Sequence, residues 1–233
     1  MTSAGTSGGP GHGVGPVDTV LLDVDGTLVD STYLHALAWQ RSFGTHDIVV
    51  PWWRVHRAVG MGGDQLVGHL TDDAVEADLG DRLRDEWERQ YRRLVDEVNP
   101  FAGAADAVKA LLDKGFTVAL ASSGQQEFTD AALKLLRLNK SAFAAVTSAD
   151  DSESSKPDPG ILATALRRSG GKAAVVVGDS VWDAEAAAAM DAPCIGVRTG
   201  GFSAAELRDA GCVEVIDSID ELPAVLQRWQ AVD

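Results

Sequence analysis

The sequence predicts an α/β fold, a doubly wound parallel sheet into which an all-helical subdomain is inserted. Outside residues 31–100, short apolar runs typical of buried strands alternate with segments of helical period. Such alternation gives a parallel sheet with helices on both faces, because crossover connections are right-handed. Residues 31–100 interrupt the alternation, since their apolar residues keep helical spacing and only residues 48–50 resemble a strand.

The first strand is predicted at residues 20–22, and four helices are predicted in the insertion that follows. The first helix is capped by Asp30 or Ser31, and the second begins at Pro51. The third follows a glycine-rich loop at residues 60–64, and the fourth spans about residues 78–98. The apolar side chains expected to face inward are Leu34, Leu37, Ala38, Trp39, Trp52, Val55, Val59, Leu66, Leu70, Leu79, Leu83, Trp87, Tyr91, Leu94, Val95 and Val98.

Strands and helices alternate again after Pro100. Strands are predicted at residues 116–121, 143–147, 173–177, 194–197 and 213–216, and helices near residues 103–113, 127–138, 159–168, 181–190 and 203–210. We therefore divide the chain into a core of residues 18–30 and 101–233 and a helical cap of residues 31–100. Residues 1–17, rich in Gly, Ser and Pro, are predicted to be a disordered tail.

Composition excludes several classes of partner. A net charge of −15 argues against binding to nucleic acid or to an anionic membrane. No run of about 18 apolar residues predicts a membrane span, and residues 1–17 lack the features of a signal peptide. Cys194 and Cys212 are the only cysteines and form no Cys-x-x-Cys, which favours two buried thiols in a reducing compartment, the cytoplasm, over a disulfide framework or zinc site.

Asp23 and Asp25 directly follow the first predicted strand. In an open α/β sheet, ligands bind beyond the carboxyl ends of the strands. Two carboxylates at i and i+2 face the same way on a strand, and their repulsion at about 4 Å is about 4 kcal/mol at an effective dielectric of about 20. The pair therefore needs a cation, a shared proton or both. A calcium loop is excluded, since position 12 counted from Asp23 is Leu34, where a glutamate is required.

Three further strand ends carry polar residues. Ser122, Ser123 and Gly124 precede a helix, where hydroxyls and free N–H groups suit an anion, although Ser-Ser-Gly on its own is better explained by simple helix capping. Lys156 stands between a strand and a helix N-terminus, an unfavourable place for a cation without a nearby anion. Finally, Asp179 and Asp183 follow an apolar strand and offer the oxygen ligands that magnesium prefers.

These four segments resemble, in order, the four motifs of the haloacid dehalogenase-like (HAD) hydrolase superfamily. The first motif is similar to Asp-Val-Asp-Gly-Thr-Leu-Val-Asp at residues 23–30, and Ser122 stands in the second. Lys-Pro-Asp-Pro at 156–159 and Gly-Asp-Ser-x-x-Asp at 178–183 resemble the third and fourth. The resemblance covers roughly residues 18–230 and implies a Rossmann-like core with a small helical cap. The loop at residues 196–201 is similar to that of phosphoglycolate-phosphatase-like members.

The resemblance implies a Mg²⁺-dependent phosphatase that hydrolyses a small phosphorylated metabolite of the phosphoglycolate or sugar-phosphate type. Asp23 would be the nucleophile that forms an aspartyl-phosphate, and Asp25 the general acid and base. Lys156 would bind the phosphate and the nucleophile. Magnesium would be held by Asp23, the Asp25 carbonyl, Asp179 and Asp183. The substrate-binding residues are expected to be Ser122, Ser123, Gly124, Thr27, His35 and Asp64.

Some interpretations stay open. A β-phosphoglucomutase-like mutase also carries a histidine at the place of His35, but it has a cap-loop arginine that residues 60–64 lack. His35 is equally well explained as a packed residue near the hinge. Asp25 argues against dehalogenases and phosphonatases, and the complete set of charged residues argues against a non-catalytic protein on this scaffold. The loop at residues 60–64 is either a helix–helix turn or a segment that places Met61 and Asp64 over the phosphate site. Both a monomer and a homodimer are compatible with the sequence.

Overall fold

A computed structural model describes residues 17–152 and 154–230. The tail predicted at residues 1–17 therefore lies outside the described residues except for Val17, which is buried. The strands are β1 (Thr19–Leu22), β2 (Val29–Asp30), β3 (Asn99–Pro100), β4 (Thr117–Ala121), β5 (Ala145–Thr147), β6 (Ala174–Gly178), β7 (Cys194–Val197) and β8 (Cys212–Ile216). The helices are α1 (Thr32–Gly44), α2 (Trp52–Ala58), α3 (Gly63–Leu70), α4 (Asp73–Tyr91), α5 (Ala104–Asp113), α6 (Gln126–Leu135), α7 (Gly160–Ser169), α8 (Val181–Ala188), α9 (Ala204–Asp209) and α10 (Leu222–Gln230).

Six strands form one parallel sheet in the order β5-β4-β1-β6-β7-β8, which confirms the predicted fold class. The four residues of β1 and the five of β6 are all buried, as expected of central strands covered on both faces. The chain moves outward from β1 to β5 and then returns to the other side of β1 at β6. This reversal leaves a crevice at the carboxyl ends of β1, β4 and β6, where ligands bind in folds of this kind.

Helices α1–α4, which we call the helical insert, lie between β2 and β3. These two short strands form an antiparallel pair in which Val29 lies opposite Pro100 and Asp30 opposite Asn99. The chain thus enters and leaves the insert side by side. The sequence did not indicate this pair, because two-residue strands are too short to show a period of two.

Residues 48–50, which resemble a strand in sequence, form none. Two local predictions in the insert were wrong, and the first concerns Trp52, which is 57 % exposed instead of facing inward. Helix α4 begins at Asp73 rather than near residue 78, because the Asp72 carboxylate accepts a hydrogen bond of 2.9 Å from the N–H of Val75 and caps the helix there. It ends at Tyr91, short of the predicted residue 98.

Cys194 and Cys212 are both buried and free, as predicted, and their sulfur atoms lie 3.6 Å apart on neighbouring strands. Among the described helices, none has the length and apolar character that a membrane crossing requires.

Candidate active site

Asp23 follows the last residue of β1 and remains fixed to the sheet. Its N–H donates a 2.9 Å hydrogen bond to the carbonyl of Val177 on β6, and its side chain is 10 % exposed. Asp25 follows in a tight turn made possible by Gly26, whose φ of 77° suits glycine. Both aspartates line a cavity of about 250 Å³ between the sheet and the helical insert.

Lys156 is buried against two carboxylates. Its Nζ lies 2.5 Å from Oδ1 of Asp23 and 2.7 Å from Oδ1 of Asp183, and the side chain is 1 % exposed. Although burial opposes the charged form, Asp183 and Asp23 raise the pKa of Lys156 above its usual value, so the ammonium persists. The anion expected beside this lysine is therefore supplied by the protein's own carboxylates.

Asp23, Asp179 and Asp183 form a buried acidic cluster in which one oxygen of each lies within 4.8 Å of the others. Burial, together with the neighbouring Asp183, raises the pKa of Asp23 to about 7 despite Lys156. Burial and the charges of Asp23 and Asp183 also raise the pKa of Asp179. Lys156 alone therefore leaves negative charge uncompensated in this cluster.

The backbone approaches the cluster closely at two glycines. A Cβ at Gly200 would lie 1.8 Å from Oδ2 of Asp179, and one at Gly26 would lie 2.1 Å from the same atom. Three carboxylates without a nearby imidazole or thiolate among the described residues are a ligand set suited to a hard cation such as Mg²⁺. The residues present thus fit the metal that the sequence implied.

Asp25 belongs to a different network. It accepts a hydrogen bond of 2.6 Å from the Ser31 hydroxyl, and its Oδ1 lies 3.0 Å from Nε2 of His35. Although burial favours the protonated form, these two neighbours hold the pKa of Asp25 below its usual value. Ser31 was predicted as a possible helix cap, but its hydroxyl is bonded to Asp25. The ring of His35 stacks on Tyr91 and on Trp87, with centroids 3.9 Å and 5.6 Å apart. His35 is therefore both packed among aromatic rings and in contact with Asp25 at the site.

The predicted phosphate-binding residues occupy different depths. Ser123 and Gly124 line the cavity, and the Ser123 hydroxyl is buried without a hydrogen-bond partner among the described residues. Ser122 lies behind them, where its hydroxyl accepts a 3.0 Å hydrogen bond from the N–H of Gly124. Thr27 also lies outside the cavity lining, and its hydroxyl donates to Asp23 at 3.3 Å and to Asp179 at 3.5 Å.

The loop at residues 60–64 contacts the core beside Lys156. The Asp64 carboxylate accepts a 3.1 Å hydrogen bond from the N–H of Ser155, and the N–H of Gly62 donates at 3.3 Å to the carbonyl of Lys156. A Cβ at Gly62 would lie 2.0 Å from the Cβ of Ser155, so the close approach requires glycine. Met61 and Asp64 line the cavity, as expected for a loop placed over the site.

Sequence reasoning missed several cavity residues. Trp39, Leu66 and Trp87 line the cavity although helical periodicity marked them only as packing positions, and Arg84 and Gln125 were not identified at all. Leu83 and Trp87 lie on the inward face of α4. The position of Arg84 directly beside Leu83 was therefore the one sequence signal that could have identified it as a cavity residue.

These features match a known family. The chain belongs to the haloacid dehalogenase-like hydrolases, whose family pattern matches residues 17–191. It is 28 % identical over 225 residues to phosphoglycolate phosphatase of Nitrosospira multiformis, which covers 91 % of this chain and 97 % of that protein. A hydrolase structure from Pseudomonas syringae superposes with a TM-score of 0.84 at 28 % identity, covering 90 % of this chain and 98 % of that one.

Another relative is longer. The chain is 32 % identical over 216 residues to Protein SUPPRESSOR OF QUENCHING 1, chloroplastic, of Arabidopsis thaliana. The match covers 89 % of this chain but only 20 % of that protein, so the chain corresponds to about a fifth of its length.

Proposed function

We propose that this protein is a Mg²⁺-dependent phosphatase that hydrolyses a small phosphorylated metabolite through an aspartyl-phosphate on Asp23. The observation that carries the proposal is the position of Asp23, which lines the cavity and pairs with the buried ammonium of Lys156 at 2.5 Å. Relatives named phosphoglycolate phosphatase and pyrophosphatase PpaX support phosphate chemistry. The metabolite is of the phosphoglycolate or sugar-phosphate size, consistent with a cavity of about 250 Å³.

Magnesium would be held by the carboxylates of Asp23, Asp179 and Asp183, together with the Asp25 carbonyl that the family resemblance implies. When bound, it would neutralise charge on the cluster and on the phosphate oxygens. Lys156 would neutralise the remaining charge on the nucleophile and the phosphate, since its ammonium is fixed between Asp23 and Asp183.

In the first step, a carboxylate oxygen of Asp23 bonds to phosphorus and the ester P–O bond breaks. Asp25 gives its proton to the departing oxygen, and an incoming phosphate dianion favours this protonated form by raising the pKa of the carboxyl. In the second step, the ionised Asp25 takes a proton from the water that cleaves the aspartyl-phosphate. Ser31 and His35 keep its carboxyl oriented through both steps.

The phosphate would lie against Ser123 and Gly124, close to the start of α6, where the unpartnered Ser123 hydroxyl and the helix N-terminus favour an anion. Ser122 supports this turn through its bond to Gly124. The Thr27 hydroxyl would hold the nucleophile in place through its hydrogen bond to Asp23. His35 and Asp64, which line the cavity, would contact the leaving group.

The helical insert would act as a cap that excludes water from the reaction and selects the leaving group. Its loop at residues 60–64 already contacts Ser155 and Lys156 in the core. The division into residues 18–30 with 101–233 as core and 31–100 as cap, a monomeric or homodimeric state, and a cytoplasmic location belong to this proposal.

The test is the Asp23→Asn variant, which keeps the size of the side chain and removes the attacking charge. Phosphate release from a panel of small phosphate esters with Mg²⁺ should fall by several orders of magnitude, on the order of 10⁴-fold or more. Asp130→Asn, the same change on the exposed face of α6, should leave turnover unchanged. Near-normal turnover by Asp23→Asn would exclude the covalent mechanism. Free phosphate as the product, rather than an isomerised sugar phosphate, separates a phosphatase from a mutase.

A further inference from the structure

The side of the cavity lined by the helical insert is largely apolar. It includes a pair of stacked indole rings whose centroids lie 5.4 Å apart. The apolar residues that line it are Trp39, Val59, Met61, Leu66 and Trp87. If the phosphate lies against Ser123 and Gly124 of the core, the leaving group of an ester bound at Asp23 extends toward this wall of the insert.

Arg84 is the one guanidinium or ammonium among the described residues that line the cavity. Three of its five N–H groups donate within the insert. Nη1 lies 2.7 Å from Glu76 and 3.1 Å from the carbonyl of Gly63, and Nη2 lies 2.8 Å from Asp81. The guanidinium therefore stabilises the loop and α4, and two carboxylates neutralise it before any ligand arrives.

Asp64 brings a further negative charge to the cavity. Its carboxylate accepts hydrogen bonds from two neutral donors, the N–H of Ser155 at 3.1 Å and the side-chain amide of Gln65 at 3.2 Å. With Arg84 paired to Glu76 and Asp81, no other guanidinium or ammonium among the described residues that line the cavity offsets the charge of Asp64.

Among the other polar groups that line the cavity, the indole N–H of Trp87 is buried without a hydrogen-bond partner among the described residues, whereas two side chains have partners inside the protein. The Gln125 amide donates to Glu88 at 2.8 Å, and the Ser152 hydroxyl donates to the carbonyl of Ser154 at 2.8 Å. A carboxylate or second phosphate on the leaving group would thus lose its water and meet apolar rings and like charge.

We propose that the leaving group of the true substrate carries no negative charge, so that Asp64 and the apolar wall reject acidic phosphate esters such as phosphoglycolate. This proposal rests on the phosphatase function and narrows it. An uncharged leaving group keeps its contact with Trp39, Leu66 and Trp87 and meets no repulsion from Asp64.

Two matched substrate pairs test the proposal with Mg²⁺ present. Phosphoglycolate is compared with its neutral amide, glycolamide phosphate, and 4-carboxyphenyl phosphate is compared with phenyl phosphate. We expect kcat/KM of the neutral member to exceed that of the acidic member at least about tenfold in both pairs. Equal values, or a preference for the acidic members, would overturn the proposal.

The Asp64→Asn variant tests whether the charge of Asp64 causes the discrimination between neutral and acidic esters. The amide keeps an oxygen for the N–H of Ser155 but removes the charge, so the ratio between neutral and acidic esters should shrink by about tenfold. Asp78→Asn makes the same charge change on the exposed face of α4, away from the cavity, and should leave the ratio unchanged. A ratio unaffected by Asp64→Asn would refute the role of this carboxylate.

Calorimetry separates failure of this inference from failure of the phosphatase assignment. The four esters are titrated into the Asp23→Asn protein with Mg²⁺, so that their affinities are measured without turnover. If the wild-type protein hydrolyses none of the esters, the phosphatase function fails, while tighter binding of the neutral members still supports the charge preference. If turnover occurs and the acidic members bind as tightly as the neutral ones, only the charge preference fails.

Discussion

Nζ of Lys156 lies 2.5 Å from Oδ1 of Asp23, and both groups are buried. The same ammonium lies 2.7 Å from Asp183, so a single cation compensates part of the charge of a cluster that also contains Asp179. Buried ion pairs add little net stability, yet removal of one partner is strongly destabilising because a charge is left without compensation. Lys156 thus links the stability of the core to the chemistry of the site.

Lys156→Met should therefore damage both properties. The methionine fills similar space but leaves Asp23 and Asp183 without their cation, so the free energy of unfolding in EDTA should fall by about 3–5 kcal/mol. Added Mg²⁺ should restore part of this loss, whereas phosphate release should stay lower by orders of magnitude. Urea unfolding measures the first effect. The control, Lys140→Met, removes an exposed pair with Asp130 and should cost less than about 1 kcal/mol. An unchanged stability of Lys156→Met in EDTA would contradict this account.

The stability of the metal-free protein should depend on pH through Asp23. Its pKa is about 7 in the folded protein, above the usual 3.8 of an aspartate, because of burial and Asp183. The folded state therefore binds the proton more tightly than the unfolded chain, and this stabilisation is complete below a pH of about 4 and disappears as the pH rises through about 7.

Magnesium should act in the opposite direction, because it stabilises the ionised carboxylates. The increase in Tm caused by Mg²⁺ over EDTA should thus grow from about pH 5 to about pH 8. Differential scanning calorimetry at matched ionic strength measures it. Asp23→Asn removes one titrating carboxyl of the cluster, so its increase in Tm should be smaller and depend less on pH. An increase in the wild-type Tm that is constant across this range would contradict the prediction.

The sequence predicted the sheet because β1, β4 and β6 are short apolar runs that leave few alternatives. It also predicted that Asp23, Ser122 and Asp179 meet, since the carboxyl ends of neighbouring parallel strands share one edge. The parts that it did not predict depend on distant contacts. Nothing local indicates that the Ser31 hydroxyl bonds to Asp25 instead of capping α1.

The boundaries of the helices and the exposure of side chains in the insert were also predicted less well. Asp72 is a suitable helix cap by its residue type, yet acidic residues continue along α4, so the signal for its first turn was not distinct. Trp52 has the composition of a core residue but is exposed, because α2 is only seven residues long and buries Val55 and Ala58 instead. The contact of Arg84 with the Gly63 carbonyl was hidden because Gly63 lies 21 positions away in the chain.

Arg57 should stabilise the contact of the helical insert with the core. Its guanidinium lies 4.0 Å from the ring centroid of Phe202 and pairs with Glu206, both outside the insert. Arg57→Ala should weaken this contact by about 0.5–1.5 kcal/mol and lower kcat/KM two- to tenfold if closure precedes chemistry. The difference from wild type should shrink between about 0.1 M and about 1 M salt as the ionic part is screened. Arg54→Ala on the same helix is the matched control, and an equal effect of both variants would show that the loss is not specific to the contact with Phe202 and Glu206.

Within the loop at residues 60–64, Gly62 should be the residue that is least tolerant of substitution. A Cβ there would lie 2.0 Å from Cβ of Ser155 and 2.5 Å from Oδ1 of Asp64, so Gly62→Ala must move the loop away from the core. Because misplacement by about 1 Å can cost a hundredfold in rate, kcat/KM should fall on that order for esters whose leaving group reaches the loop and by less for acetyl phosphate.

The matched control is Gly68→Ala in α3, where the nearest atom to a new Cβ lies 3.8 Å away. This change should leave kcat/KM unaltered and raise stability by roughly 0.5–1 kcal/mol, because alanine favours a helix interior. Steady-state kinetics and urea unfolding of both variants provide the comparison. An equal fall for every substrate of Gly62→Ala would show that the loop acts as a hinge and does not contact the leaving group. Full activity of Gly62→Ala would mean that the contact between Gly62 and Ser155 is not needed for turnover.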